Sequence, residues 1–194
     1  HDEKDSHDEK DSHDEKDSHD EKDSHNHPTD SHIWLNPVYA KIQVQNIALA
    51  FSDSDPKNRE FYQANAKKYV EKLTLLDSKI QEELSGCSSD FVSFHNAFSY
   101  FADEYDLNQH VIIESNDSHG EVTAKTLENV ISTSKKLNIK VIFSEENAST
   151  KISEIIANEI GGKVLTLSPL EVASDGTYIS KMTKNLENLK EALC

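Results

Sequence analysis

The chain has 194 residues, room for one domain of ordinary size with extensions. Its 36 acidic and 20 basic residues give a net charge of −16. So acidic a surface repels phosphate backbones, which argues against nucleic acid as a partner, and no stretch reaches the ~18–20 apolar residues that a membrane span needs.

The charge is uneven. Residues 1–24 are four copies of His-Asp-Glu-Lys-Asp-Ser, and their twelve acidic and four basic side chains (−8) supply half of the net charge. The segment runs on through His25-Asn26-His27-Pro28. It holds no apolar residue, so it cannot bury a core and is expected to be a disordered loop over 1–29. His1, His7, His13, His19, His25 and His27 would then hang on a flexible acidic tether. Neutral imidazole suits zinc, copper, nickel and iron, and carboxylates raise the local cation concentration. The functional reading is a weak, fast-exchanging metal collector; the plain reading is a solvating spacer. A spacer needs no histidine, and one recurs every sixth residue. No signal peptide opens the chain, and residue 1 is His. The chain is therefore expected to be a fragment that starts inside a loop, or a processed product.

From Ile33 onward the pattern is that of a folded α/β domain. Asn36-Pro37 reads as a helix cap and first turn, opening a helix to about Phe51 with Ile42, Ile47 and Leu49 among its apolar residues. Ser52–Asp55 is expected to break it. Asp55-Pro56 opens a long helix over about 56–84, with Phe61, Tyr69, Val70, Leu73, Leu76, Ile80 and Leu84 at helical spacing. Gly86 ends it. At ~1.5 Å per residue it would span roughly 40 Å, enough to connect two lobes.

Strands and helices then alternate. Phe91–Phe94, His110–Glu114, Lys140–Ser144 and Lys163–Leu167 read as strands. Ala97–Tyr105, Thr123–Leu137, Ser149–Ile160 and Thr177–Leu193 read as helices, with Thr123 as a cap. Tyr178, Ile179, Met182, Leu186 and Leu189 of the last helix read as core. Four strands separated by helices imply a mainly parallel four-stranded sheet flanked by helices. The expected organisation is the loop 1–29, a remnant of another lobe at 30–55, the connecting helix 56–85 and an α/β lobe at 86–194. Cys87 and Cys194 lack metal-ligand spacing, and a single disulfide or two unpaired thiols fit equally well.

Ligands in such sheets bind beyond the carboxyl ends of the strands, which draws attention to His95, Glu114, Glu145 and the Ser168–Glu171 turn. His95 directly follows Phe91-Val92-Ser93-Phe94, and His32 sits just before a capped helix. Taken singly, such a histidine is more often a hydrogen-bonded structural residue. His110 reads as structural, His119 as a solvent-facing loop residue, Trp34 as a packing anchor, and Glu145 as a hydrogen-bonding partner rather than a direct ligand.

Several segments in order resemble one family. Asp30-Ser31-His32-Ile33-Trp34-Leu35-Asn36-Pro37 resembles the D-P-H-x-W-L-[DN]-P motif of zinc- and manganese-binding ABC-transporter solute-binding proteins, the ZnuA-like group. Phe91–Phe101 is similar to its F-H-[DN]-A-[FY]-x-Y-F segment, Glu121-Val122-Thr123-Ala124 to its E-P-S-x turn, Val141–Glu145 to its V-I-F-x-E strand, and Leu167–Leu170 to its L-D-P-L turn.

The resemblance implies that His32 and His95 are ligands of a tight metal site. It implies a third histidine on a further lobe that this chain lacks. The fourth ligand is usually the Asp of L-D-P-L. Here that position is Ser168, a poor zinc ligand, leaving Glu171 or a water molecule to fill it. His at position 95 favours Zn²⁺ over Mn²⁺, since imidazole suits the softer ion. The implied function is extracytoplasmic capture of Zn²⁺, at the periplasmic or extracellular face of the cytoplasmic membrane. A membrane permease of a metal ABC transporter is the partner, and any membrane anchor would lie outside this chain. No chemistry is catalysed, and a monomer is expected. Manganese or another divalent ion as cargo is the nearer alternative. A zinc hydrolase is the alternative of a different class, and it lacks a recognisable general base such as H-E-x-x-H. This chain by itself is expected to bind zinc more weakly than a complete protein would, with one ligand and one cleft wall fewer. Helix 37–51 and one face of helix 56–84 are expected to pack on that further lobe.

Overall fold

The computed structural model describes residues 30–114, 122–146 and 148–194. The loop expected at 1–29, with its six histidines, lies outside the described residues. So do His119 and Glu121.

The chain enters through a 3-10 turn, Ile33–Leu35, and then α1, Pro37–Ser54. Asn36 caps α1 as its sequence predicts: its side-chain oxygen accepts from the Val38 amide at 2.8 Å. The helix continues past the break expected at Ser52. The Ser52 hydroxyl donates back to the Ala48 carbonyl at 2.6 Å, so this serine is satisfied inside the helix. A 3-10 turn, Pro56–Asn58, leads into α2, Arg59–Leu84. α1 folds back along α2. Lys41 Nζ meets Asp77 at 3.0 Å near one end, and Phe51 stacks on Tyr62 with ring centroids 5.3 Å apart near the other.

Only the second half of α2 enters the core. Leu73, Leu76, Ile80 and Leu84 are buried at spacings of three, four and four, one face of a helix. Phe61 is 64% exposed, and Ile42, Ile47, Leu49 and Phe51 of α1 are also exposed. Apolar spacing alone did not separate the two halves.

The remaining elements are β1 (Asp90–His95), α3 (Ser99–Glu104), β2 (Asn108–Ile113), α4 (Ala124–Lys136), β3 (Val141–Ser144), α5 (Lys151–Ile160), β4 (Lys163–Thr166) and α6 (Tyr178–Leu193). The strands form one parallel sheet in the order β2-β1-β3-β4. Alternation along each strand feeds two cores. Phe91, Val141 and Phe143 face a cluster with Leu76, Ile80, Phe98, Phe101, Leu186 and Leu189. Val92, Phe94, Ile112 and Ile142 face a second cluster with Val130, Ile156 and Ile160. Helices thus cover both faces, as a parallel sheet requires.

Local signals hold the layers in place. Thr123 caps α4, and Thr177 with Ser180 forms a reciprocal capping pair on α6. Gly161 ends α5 at φ +63°. At Gly162 a Cβ would lie 2.1 Å from the Lys140 carbonyl oxygen, so only glycine lets β4 start flush against β3. The free edge of β4 is partly covered by α6, whose Asn188 side chain donates to the Thr166 carbonyl at 2.7 Å.

Cys87 and Cys194 are joined in a disulfide, which resolves the alternative left open by the sequence. The bond ties the end of α2 to the last residue. The Ser88 amide donates to the Leu193 carbonyl at 2.9 Å beside it.

Candidate functional site: a three-ligand metal centre

The sheet order changes direction at β1: β2 lies on one side and β3 on the other. Beyond the carboxyl ends of two such strands a crevice opens, the usual ligand position in this architecture. His95 is the last residue of β1, and Glu145 follows the last residue of β3. They meet there because neighbouring parallel strands end together.

His95 is completely buried. Its Nδ1 and its backbone N–H both donate to Glu145 Oε1, the latter at 3.3 Å. Its carbonyl accepts from Ser93 Oγ at 2.9 Å, Gln109 Nε2 at 3.0 Å and the Ala97 amide at 2.9 Å. The residue is therefore fixed at both backbone ends and at the ring.

His32 arrives from the opposite wall and is 1% exposed. Asp30 Oδ1 accepts from the His32 amide at 3.0 Å and from the His32 ring Nδ1 at 2.7 Å. The other Asp30 oxygen accepts from Ser99 Oγ, and Tyr100 donates to the Asp30 carbonyl at 3.1 Å. Burial pushes the Asp30 carboxyl up, but the hydrogen bonds from Ser99, the His32 amide and the His32 ring outweigh it. The carboxyl sits below its usual value and stays ionised at neutral pH. The following residues lock the corner. Leu35 is fully buried, and Asn36 Nδ2 donates to the Tyr100 carbonyl at 3.0 Å. The Trp34 indole donates to the Pro169 carbonyl at 2.9 Å. Trp34 packs as expected, and it also ties this corner to the turn after β4.

That turn carries Glu171. Asn185 of α6 holds it through two bonds: the Ser168 amide donates to Asn185 Oδ1, and Asn185 Nδ2 donates to the Ser168 carbonyl, each at 2.8 Å. Leu170 adopts φ +59°, a conformation that a non-glycine residue holds at a cost of ~1–3 kcal/mol. The Ser168 hydroxyl accepts from the Leu170 amide at 3.4 Å, so it is engaged within its own turn. Glu171, with a third of its side chain exposed, reaches into the crevice instead.

His32 Nε2, His95 Nε2 and Glu171 Oε1 converge. The separations are 2.7 Å from His32 to Glu171, 3.5 Å between the two histidines and 3.7 Å from His95 to Glu171. Two ligands on one tetrahedral zinc, each ~2.0–2.1 Å from the ion, lie about 3.3 Å apart, within the range of these edges. Each Nδ1 faces a carboxylate, which leaves the Nε2 of both rings turned to the crevice, and His32 Nε2 lies within hydrogen-bond distance of Glu171 Oε1 at 2.7 Å. As bare acceptors these three atoms would repel, so a shared proton or a metal ion between them is what their convergence accommodates. Among the described residues, these three make up the group of side chains placed to hold a metal ion.

The other sequence candidates lie elsewhere. His110 is the third residue of β2, not its first, and its Nε2 pairs with Asp90 Oδ1 at 2.9 Å near the amino end of the sheet. Glu145 backs His95 as expected, and Ser168 points into its own turn. The partner that sequence reading missed is Asp30. The available signal was its place two residues before His32, a spacing at which an aspartate bonds the local backbone.

The family model described as the periplasmic zinc-uptake complex component A, ZnuA, matches residues 2–192. The chain belongs to this ZnuA family. The high-affinity zinc uptake system protein ZnuA of Bacillus subtilis is 37% identical over 175 residues, covering 87% of this chain and 54% of that protein. The crystal structure of the laminin-binding protein Lbp of Streptococcus pyogenes superposes with a TM-score of 0.80 at 35% identity, covering 85% of this chain and 66% of that one. A zinc-bound deletion mutant of ZnuA gives a TM-score of 0.74 at 35% identity, covering 84% of this chain and 60% of that one. The chain thus spans about half the length of the Bacillus relative.

Proposed function

We propose that this chain belongs to an extracytoplasmic zinc-capture protein, which binds Zn²⁺ and passes it to the membrane permease of an ABC importer. The observation that carries the reading is the convergence of His32 Nε2, His95 Nε2 and Glu171 Oε1 on one point, with separations of 2.7, 3.5 and 3.7 Å. Two neutral imidazoles and one carboxylate favour zinc over the harder manganese ion. The description of the family as a periplasmic zinc-uptake component supports both the cargo and the location. Three protein ligands leave a tetrahedral ion one open position, for water or for a group from outside this chain. The histidines of residues 1–27 are proposed as weak collecting sites that feed this centre.

Two tests bear on the reading. Equilibrium titration against a competing chelator should give one tight zinc site, and crystals grown with zinc should show anomalous density between the three side chains. Absence of density there would rule the site out. Removing residues 1–27 should leave the tight site and lower the number of weakly bound ions; a tight site lost with the repeat would move the centre out of the fold. Within the site, Glu171→Ala is expected to weaken tight binding by roughly 10–100-fold, less than loss of a histidine, because water can take the place of a partly exposed ligand.

A further inference from the structure

Both histidines of the crevice are held by the same device. One oxygen of a carboxylate accepts two hydrogen bonds from a single histidine, one from its backbone amide and one from its ring Nδ1. For His32 the oxygen is Asp30 Oδ1, at 3.0 and 2.7 Å. For His95 it is Glu145 Oε1, at 3.3 Å to the amide and in close contact with the ring. The two carboxylates reach this arrangement by unrelated routes. Asp30 lies two residues before its histidine, while Glu145 lies fifty residues after His95 and reaches it across the β1–β3 pair. We infer that Asp30 and Glu145 are positioning residues of the metal site, each holding its histidine ring by Nδ1–H so that both Nε2 atoms point, with Glu171 Oε1, at one metal position. This rests on the reading of that point as a metal centre.

The physical reason is orientation. A neutral imidazole has two tautomers, and only the one with a bare Nε2 can donate electrons into this crevice. A carboxylate on Nδ1 selects that tautomer and makes Nε2 a stronger donor. The second bond, from the amide, anchors the carboxylate oxygen to the main chain of the same residue. The ring therefore cannot turn about its own axis without breaking a bond whose acceptor is held from behind. Asp30 is held further by Ser99 on its other oxygen, and Glu145 is itself buried. An ion would enter a site whose donors already point inward, with little reorganisation on binding.

The test combines nitrogen NMR of the histidine rings with zinc affinity, measured on the full chain by chelator competition. In the unsubstituted chain, metal-free and zinc-loaded, the signals of His32 and His95 should show a protonated Nδ1. A bare Nδ1 with a protonated Nε2 on either ring would overturn the inference without any substitution. Glu145→Ala should mix the tautomers of His95 and weaken tight zinc binding 10–100-fold. Glu145→Gln keeps an acceptor oxygen and the side-chain shape, and should restore the tautomer and most of the affinity. If Glu145→Ala lowers thermal stability but leaves tautomer and affinity unchanged, Glu145 is only a packing group and the inference fails. His95→Ala in parallel separates the two ideas: retained tight binding there removes the metal reading itself, whereas its loss beside an unaffected Glu145→Ala removes only the positioning role.

Discussion

Replacing His95 by alanine should weaken tight zinc binding by roughly a hundredfold or more. Structural zinc sites of four ligands are worth ~10–16 kcal/mol, so one ligand carries a few kcal/mol, and each ~1.4 kcal/mol is tenfold. Here the loss is compounded, because His95 is fully buried and its ring is held in place by Glu145. The substitution also leaves Glu145 without its ring N–H partner in a buried position. A buried acceptor deprived of a partner costs ~1–3 kcal/mol, so the variant should also melt earlier. His110→Ala is the control. Its imidazole pairs with Asp90 near the opposite end of the sheet, and its loss should leave zinc affinity within about twofold. Chelator competition on both variants decides the matter, and equal effects would mean that the site is misplaced.

Breaking the Cys87–Cys194 disulfide should give the largest change in stability. The bond closes a loop with a sequence separation of 107 residues. Chain-entropy reasoning assigns such a loop about 4–5 kcal/mol, a large share of the ~5–15 kcal/mol that holds a domain together. At ~2–4 °C per kcal/mol for a domain of this size, the melting midpoint should fall by about 10–15 °C in reductant or in Cys194→Ser. Calorimetry with and without reductant measures it, and an unchanged midpoint would show that the seam is held by the Ser88–Leu193 and Lys190–Glu83 bonds instead. Zinc affinity below the melting range should be unaffected. The disulfide precedes the amino end of β1, whereas the proposed metal centre lies beyond its carboxyl end.

Much of the fold was legible because the signals are local. Asn36-Pro37, Thr123 and Gly161-Gly162 cap or turn their elements within a few residues, so their effect is written beside them. Alternating short apolar runs and amphipathic helices were enough for a parallel sheet covered on both faces. The exposure of Ile42, Ile47, Leu49 and Phe61 was not legible from periodicity, since burial depends on what lies opposite a helix face.

The site divides along the same line. His32 and His95 were legible from motif resemblance and from their places at element ends. Residue types and order along the chain therefore determined two candidate imidazoles, the acidic repeat and the parallel sheet at whose carboxyl end His95 stands. Only the tertiary structure brought Glu171 to the two histidines, set a carboxylate against each Nδ1 and paired the cysteines. Glu171 enters the crevice because Leu170 takes φ +59° and because Asn185 and Trp34 clamp the turn from elsewhere in the chain. Glu145 meets His95 only because β1 and β3 are neighbours, and Cys87 meets Cys194 only because α6 returns along α2. Hydrogen bonds and ligand fields act over about 3 Å of space. Groups fifty or a hundred residues apart can satisfy that distance only after the layers have packed.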